Sequence, residues 1–302
     1  MIARRYLQVS WLGLSLVAPT VAQSQCPEPC LVAVRALKLD SLPAPVQTYY
    51  SAGFQIRATH DQALLREAER FYADSLGLGT GISLSLLNAA DWKRVNNRPY
   101  GLPNLSISDR VAFLPATDDG VITMDLLRVG ATLSDTVRAK VVREGISYAE
   151  FARSMTDVIG LHELGHSYVA SYGISPHASW FNEFLSSYFA FAFLQSTHPR
   201  QARLIEAMIE ARLERPPPAH TSLKDFEQFY GQTMSPDNIN WYQAIFLQQV
   251  AEVSRSKGLG FLKAVRDAFP VVESASVSAG TVLERLERIH PGFRAWAGRR
   301  GQ

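Results

Sequence analysis

The five residues His162-Glu163-Leu164-Gly165-His166 lie inside a strongly apolar stretch, and they restrict the fold of this 302-residue chain more than any other segment. Phe151, Met155, Val158, Ile159 and Val169 recur at spacings of three, four and their sums, which predicts one buried helix over residues 148–172. On such a helix, residues four apart are separated by about 40° around the axis and about 6 Å along it, so His162 and His166 share a face. Their imidazoles then form a bidentate arrangement for one metal ion. Neutral imidazole suits Zn²⁺, which takes N, S and O ligands in a tetrahedral shell and keeps one position open for water at a catalytic site. Glu163 lies about 100° further round, too far for the ion but within reach of a water beside it. In this motif it is the expected general base.

Two imidazoles do not complete a catalytic site, so a third protein ligand is expected. The extended pattern HExxHxxGxxH is excluded, because position 169 is Val and position 172 is Tyr. Downstream, Glu183 is the only acid in a densely apolar run over residues 174–195. A carboxylate there needs a partner, because an isolated buried charge is costly. The run is long enough for a second buried helix, and residues 171–179, with Gly173 and Pro176, suit a turn between antiparallel neighbours. Glu183 would then face the two histidines. The competing assignment is an acid at a helix N-terminus, stabilised by the macrodipole.

With these residues in view, the chain resembles the gluzincin branch of zinc metallopeptidases, which includes thermolysin-like and aminopeptidase-like enzymes. The resemblance rests on HELGH followed, after sixteen residues, by the Glu of Asn182-Glu183. It covers residues 150–195, with a weaker similarity of pattern towards 270. It implies a zincin-like α+β fold, His162, His166 and Glu183 as ligands of one Zn²⁺, Glu163 as catalytic base, and a peptide or protein substrate. Thermolysin-like members carry N-E-x-x-S-D; this chain matches through Ser186 and has Ser187 where the Asp would stand, leaving the support of a zinc histidine unassigned. The G-x-M-E-N motif by which aminopeptidase-like members recognise a free amine is absent, so exopeptidase specificity is not carried over.

Peptide hydrolysis passes through a tetrahedral oxyanion, which the metal and a protein donor would stabilise together. Aminopeptidase-like gluzincins supply a Tyr well after the third ligand, and Tyr242, 59 residues beyond Glu183, occupies that place. Asn240 with Gln243 three residues on reads as a helix start that would set Tyr242 in a first turn. Tyr230 and His220 are rivals, a Tyr packed in the core is the alternative, and His177 lies in the loop before Glu183.

The first 22 residues read as a secretory signal: Arg4-Arg5, a mostly apolar stretch over residues 6–17 too short to span a bilayer, and Thr20-Val21-Ala22 as cleavage site. The expected location is therefore periplasmic or secreted, with no membrane insertion of the mature chain. Residues 1–22 hold two Arg and no acid, so the remainder carries 28 basic against 28 acidic side chains. That balance gives no support to nucleic-acid binding driven by net charge. Cys26 and Cys30 could form a small disulfide, worth at most about 2 kcal/mol by loop entropy.

Along the chain, a strand is expected within residues 46–59, an amphipathic helix over 61–76, and strands over 82–87 and 110–114 with a turn-rich stretch at 96–104 between them. These define a small mixed sheet lobe at about 46–116, packed on the motif helix, within a catalytic region over 23–215. One edge strand of that lobe is expected to run along the cleft and pair with extended substrate. Arg215-Pro216-Pro217-Pro218 breaks the helical pattern and marks the boundary to a helical lobe over 219–302, with helices at 240–254, 259–269 and 281–289. The reading is an exported zinc metallopeptidase. Its alternatives are an inactive zincin-fold binding module and a structural protein with an accidental motif, separable by zinc content and by activity in Glu163→Gln.

Overall fold

A computed structural model describes Cys26, residues 29–271 and residues 277–299. The expected signal segment lies outside them. The N-terminal part runs α1 (Cys30–Ala36), β1 (Asp40–Leu42), β2 (Gln47–Tyr50), α2 (Gln55–Leu76), β3 (Ser83–Leu87), α3 (Ala89–Val95), β4 (Asn104–Ser106) and β5 (Val111–Pro115). Then follow α4 (Val121–Gly130), α5 (Asp135–Arg143), α6 (Tyr148–Ser171), α7 (Ser179–Thr197) and α8 (Pro199–Leu213). Beyond the proline run come α9 (Leu223–Phe229), α10 (Pro236–Lys257), α11 (Leu259–Ala268), α12 (Ala279–Ile289) and α13 (Phe293–Gly298).

The molecule is a mixed α+β fold, mostly helical, with one five-stranded sheet in the order β1-β2-β3-β5-β4. β2, β3 and β5 pair in parallel, whereas β1 and β4 are added antiparallel on the two sides. Alternation along the inner strands divides their side chains between two layers. Leu84, Leu86, Ala112 and Leu114 join the main core, while Leu87, Val111 and Phe113 pack with Trp92 and α1 on the other face. Sheets with parallel inner strands are normally covered on both sides, as here. Cys26 and Cys30 are joined in a disulfide within the smaller layer.

Two helices form the centre. α6 opens on a capping box, in which Ser147 accepts from the Glu150 amide and the Glu150 carboxylate accepts from the Ser147 amide. It packs on β5, α2, α4 and α7. α7 is buried along almost its whole length between α6, α8, α9 and α10, as a helix apolar all round must be. Its first turn is capped from a distance, since the Trp180 amide donates to Glu227 Oε1 of α9 at 2.7 Å.

The main core runs without interruption from Val46 to Ala297, so residues before and after the proline run share one interior. Three starts lie at least four residues ahead of the sequence expectation. The sheet begins earlier, at β1. α2 starts at Gln55, directly after a turn in which Gly53 takes a φ of 88°, with no side-chain cap to announce it. α10 starts at Pro236, with Ser235 as its cap accepting from the Asn238 amide, so Asn240 lies inside the helix.

Candidate metal centre

Glycine brings the two central helices together. A Cβ on Gly165 would lie 2.4 Å from the carbonyl oxygen and 2.8 Å from the Cα of Ser186, so α6 and α7 touch backbone to backbone at that point. His162 and His166 face α7 there, and α7 offers Asn182, Glu183, Ser186 and Ser187, a polar strip at spacings of one, three and four.

The two imidazoles converge on one carboxylate. His162 Nε2 lies 3.2 Å from Glu183 Oε2, and His166 Nε2 lies 3.5 Å from Glu183 Oε1. The Nδ1 atoms are held from behind: His162 Nδ1 by Ser187 Oγ at 3.0 Å, and His166 Nδ1 by Ser186 Oγ at 2.7 Å, with Asn182 Nδ2 at 3.2 Å. Ser187 therefore stands behind His162 as a neutral hydroxyl in the place where the resemblance calls for an acid.

One donor atom from each of His162, His166 and Glu183 lies within 4.8 Å of the others, and the group could hold a metal ion. Burial alone would push the Glu183 carboxyl up. The imidazoles of His166 and His162 and the Tyr230 hydroxyl outweigh it and hold this carboxyl well below the usual range. A charged carboxylate facing two imidazole nitrogens fits a divalent ion of borderline softness. Glu163 is 8% exposed, and burial pushes its carboxyl up to about 7, with His166 and Arg98 opposing the rise and Glu183 adding to it.

Glu183 also receives two hydrogen bonds from beyond the proline run. Tyr230 Oη donates to Oε1 at 2.8 Å and Gln243 Nε2 donates to Oε2 at 2.8 Å. Burial and the Glu183 charge push the Tyr230 hydroxyl well above its ordinary value, so it remains a donor at neutral pH. Tyr242 is placed differently from the sequence expectation. It is fully buried, it sits in the second turn of α10, and its hydroxyl donates to the carbonyl oxygen of Ser222 at 2.7 Å.

A cavity of about 390 Å³ opens from these residues. Its walls include His162, Glu163, His166, Glu183, Tyr230 and Gln243, together with the apolar Ile122, Leu126, Met155, Val158, Met208 and Leu247. Tyr242, His177 and His220 are not part of the lining. Of the tyrosines weighed from sequence, the structure brings Tyr230 to the site. The outer strand β4 contributes Asn104 and Leu105, and the loop before it contributes the exposed Arg98. Arg98 and Gln243 were not singled out for the site from sequence. Gln243 carried a signal, since it is a polar residue one turn from Ile239 and from Leu247 on the same helical face. No family model, curated protein or solved structure matches the chain.

Proposed function

We propose that this chain is an exported zinc-dependent metallopeptidase of gluzincin type, with His162, His166 and Glu183 as ligands of one Zn²⁺ and Glu163 as general base. The observation that carries the proposal is the convergence of two imidazole Nε2 atoms on a buried carboxylate, with a second buried carboxyl, Glu163, on the next residue of the same helix. Zinc bound there would supply Lewis acidity toward a substrate carbonyl and a water acidic enough to lose its proton at neutral pH.

The protein's own groups have separable roles. Glu163, with its carboxyl near 7, is poised to accept a proton from the attacking water and return it to the leaving amine. Tyr230, which lines the cavity, is the candidate to hold the developing oxyanion in place of Tyr242, by turning its single O–H from Glu183 to the substrate oxygen. Ser186 and Ser187 fix the orientation of the two histidine rings. The outer strand β4 offers main-chain pairing to an extended peptide, and the apolar walls take up a side chain. The Cys26–Cys30 disulfide agrees with an oxidising compartment.

The test is zinc content and peptide hydrolysis in the wild type beside Glu163→Gln. The variant is expected to keep its zinc and to lose hydrolysis by at least about 10²-fold. Turnover comparable with the wild type would overturn the role of Glu163, and a wild-type chain that takes no zinc would overturn the whole reading.

A further inference from the structure

The buried face of α2 runs Ala58, Asp61, Gln62, Leu65, Ala68, Tyr72, and one member of it is a carboxylate. Asp61 is 2% exposed, and neither of its carboxylate oxygens has a hydrogen-bond partner. Gln62 beside it is satisfied by the carbonyls of Pro43 and Val46, whereas Arg57 Nε, 3.6 Å from Asp61 Oδ2, is likewise without a hydrogen-bond partner. A buried carboxylate in that condition is costly.

Two further donors meet Asp61 at the α2–α6 interface, one from α2 itself and one from α6. His60, largely exposed, and Asp157 of α6 approach each other at 3.1 Å between Nε2 and Oδ2. One donor atom from each of His60, Asp61 and Asp157 lies within 4.8 Å of the others. The neighbouring cation, Arg57, is shared among three carboxylates, and its Nε faces Asp61 without reaching hydrogen-bond distance. Its Nη1 is 2.8 Å from Asp118, which also has Arg153 at 3.6 Å, whereas its contacts to Asp157 and Asp61 are long, at 3.5 and 3.6 Å.

We propose that His60, Asp61 and Asp157 form a second metal site, for a divalent ion of the zinc class, which braces α2 against α6. The ion would accept the free oxygens of Asp61 as the floor of the site, with His60 and Asp157 at the rim and water completing the shell. One imidazole and two carboxylates suit zinc. Calcium and magnesium prefer oxygen donors alone, in larger or octahedral shells. Asp157 is five residues before His162, so the brace would act on the helix that carries the first centre while contributing no ligand to it.

The test is zinc stoichiometry by elemental analysis on the full chain, for the wild type, His60→Ala, Glu183→Ala and the double variant, after equilibration with zinc and buffer exchange. Expected values are about two, one, one and none. His60 is largely exposed, so its replacement leaves the core intact even where Glu183→Ala fails to fold. Zinc should also raise the unfolding temperature of Glu183→Ala and not of the double variant. Equal zinc content in the wild type and His60→Ala would overturn the second site and assign the Asp61 oxygens to water. A wild type with one zinc that His60→Ala loses would instead overturn the first centre.

Discussion

Gly165→Ala isolates the spacing between α6 and α7. Helix propensity alone favours the change by about 1 kcal/mol. Against this, the new Cβ would meet the Ser186 carbonyl oxygen at 2.4 Å and the Ser186 carbonyl carbon at 2.9 Å, where ordinary contact begins at 3.4 Å. The obstacle is backbone, which cannot rotate aside, so α7 must retreat by about 1 Å. Overpacking of this kind costs about 1–3 kcal/mol and offsets or exceeds the propensity gain. Glu183 lies on the turn of α7 that has to move, and metal–donor distances tolerate only about 0.2 Å. The expected result is a zinc affinity at least about 10-fold weaker by chelator competition, with no gain in the urea midpoint. Gly160→Ala is the control: it makes the same propensity change, and its closest contact is the flexible end of Leu114 at 2.9 Å. If Gly165→Ala bound zinc as tightly as Gly160→Ala and was equally stable, the close approach of the helices would not be what sets the donor geometry.

Five further outcomes are expected. Tyr242→Phe should cost about 1 kcal/mol of stability, from its lost bond to Ser222, and leave hydrolysis unchanged; Tyr230→Phe should lower kcat and also cost about 1.5–3 kcal/mol of stability, because its lost bond is to the charged Glu183. Ser187→Ala removes the partner of His162 Nδ1 and should weaken zinc binding by about 10–100-fold in the same competition assay. Ser147→Ala should cost about 1 kcal/mol through the cap of α6, read from the urea midpoint. The Glu150 carboxyl is held below its ordinary value by the Ser147 amide and hydroxyl, so its stabilising contribution is present above pH 4.5 and is lost as pH falls through the lower folded value. Wild type and Glu150→Gln should therefore differ in unfolding midpoint at pH 7 and converge in acid, once the pH has fallen below the folded value of that carboxyl.

The two central helices were legible because each is dictated locally: a capping box and helical periodicity for α6, and an unbroken apolar run between turn signals for α7. Glu183 was legible for the same reason, as one acid in an apolar context. Tyr242 was misplaced through a boundary error of one turn. Asn240 with Gln243 resembles a capping box, but Ser235-Pro236 lies ahead of it, and starting the helix there carries Tyr242 into the core. Tyr230 could not be chosen from sequence, because its place depends on α9 packing across α7. Ser187 showed only as a departure from a pattern; that it still meets His162 follows from the closeness that Gly165 permits. α4, α5 and α8 were not anticipated, although Pro199 at the first position of α8 is a recognisable helix-opening signal.

The partners of Glu183 have a consequence for how the chain is made. Tyr230 follows it by 47 residues and Gln243 by 60. At synthesis rates of about 5–20 residues per second, about 3–12 s separate the appearance of that carboxylate from the arrival of its last hydrogen-bond donor. During that interval α7, apolar on all but the strip that faces α6, has neither α9 nor α10 to cover it, and the acid at its heart has only the two imidazoles of α6 as partners. A nascent chain halted at the proline run would carry all three candidate metal ligands, His162, His166 and Glu183, with α7 still uncovered and prone to aggregate. The last third of the protein therefore supplies the cover and two of the hydrogen bonds that its earlier residues need.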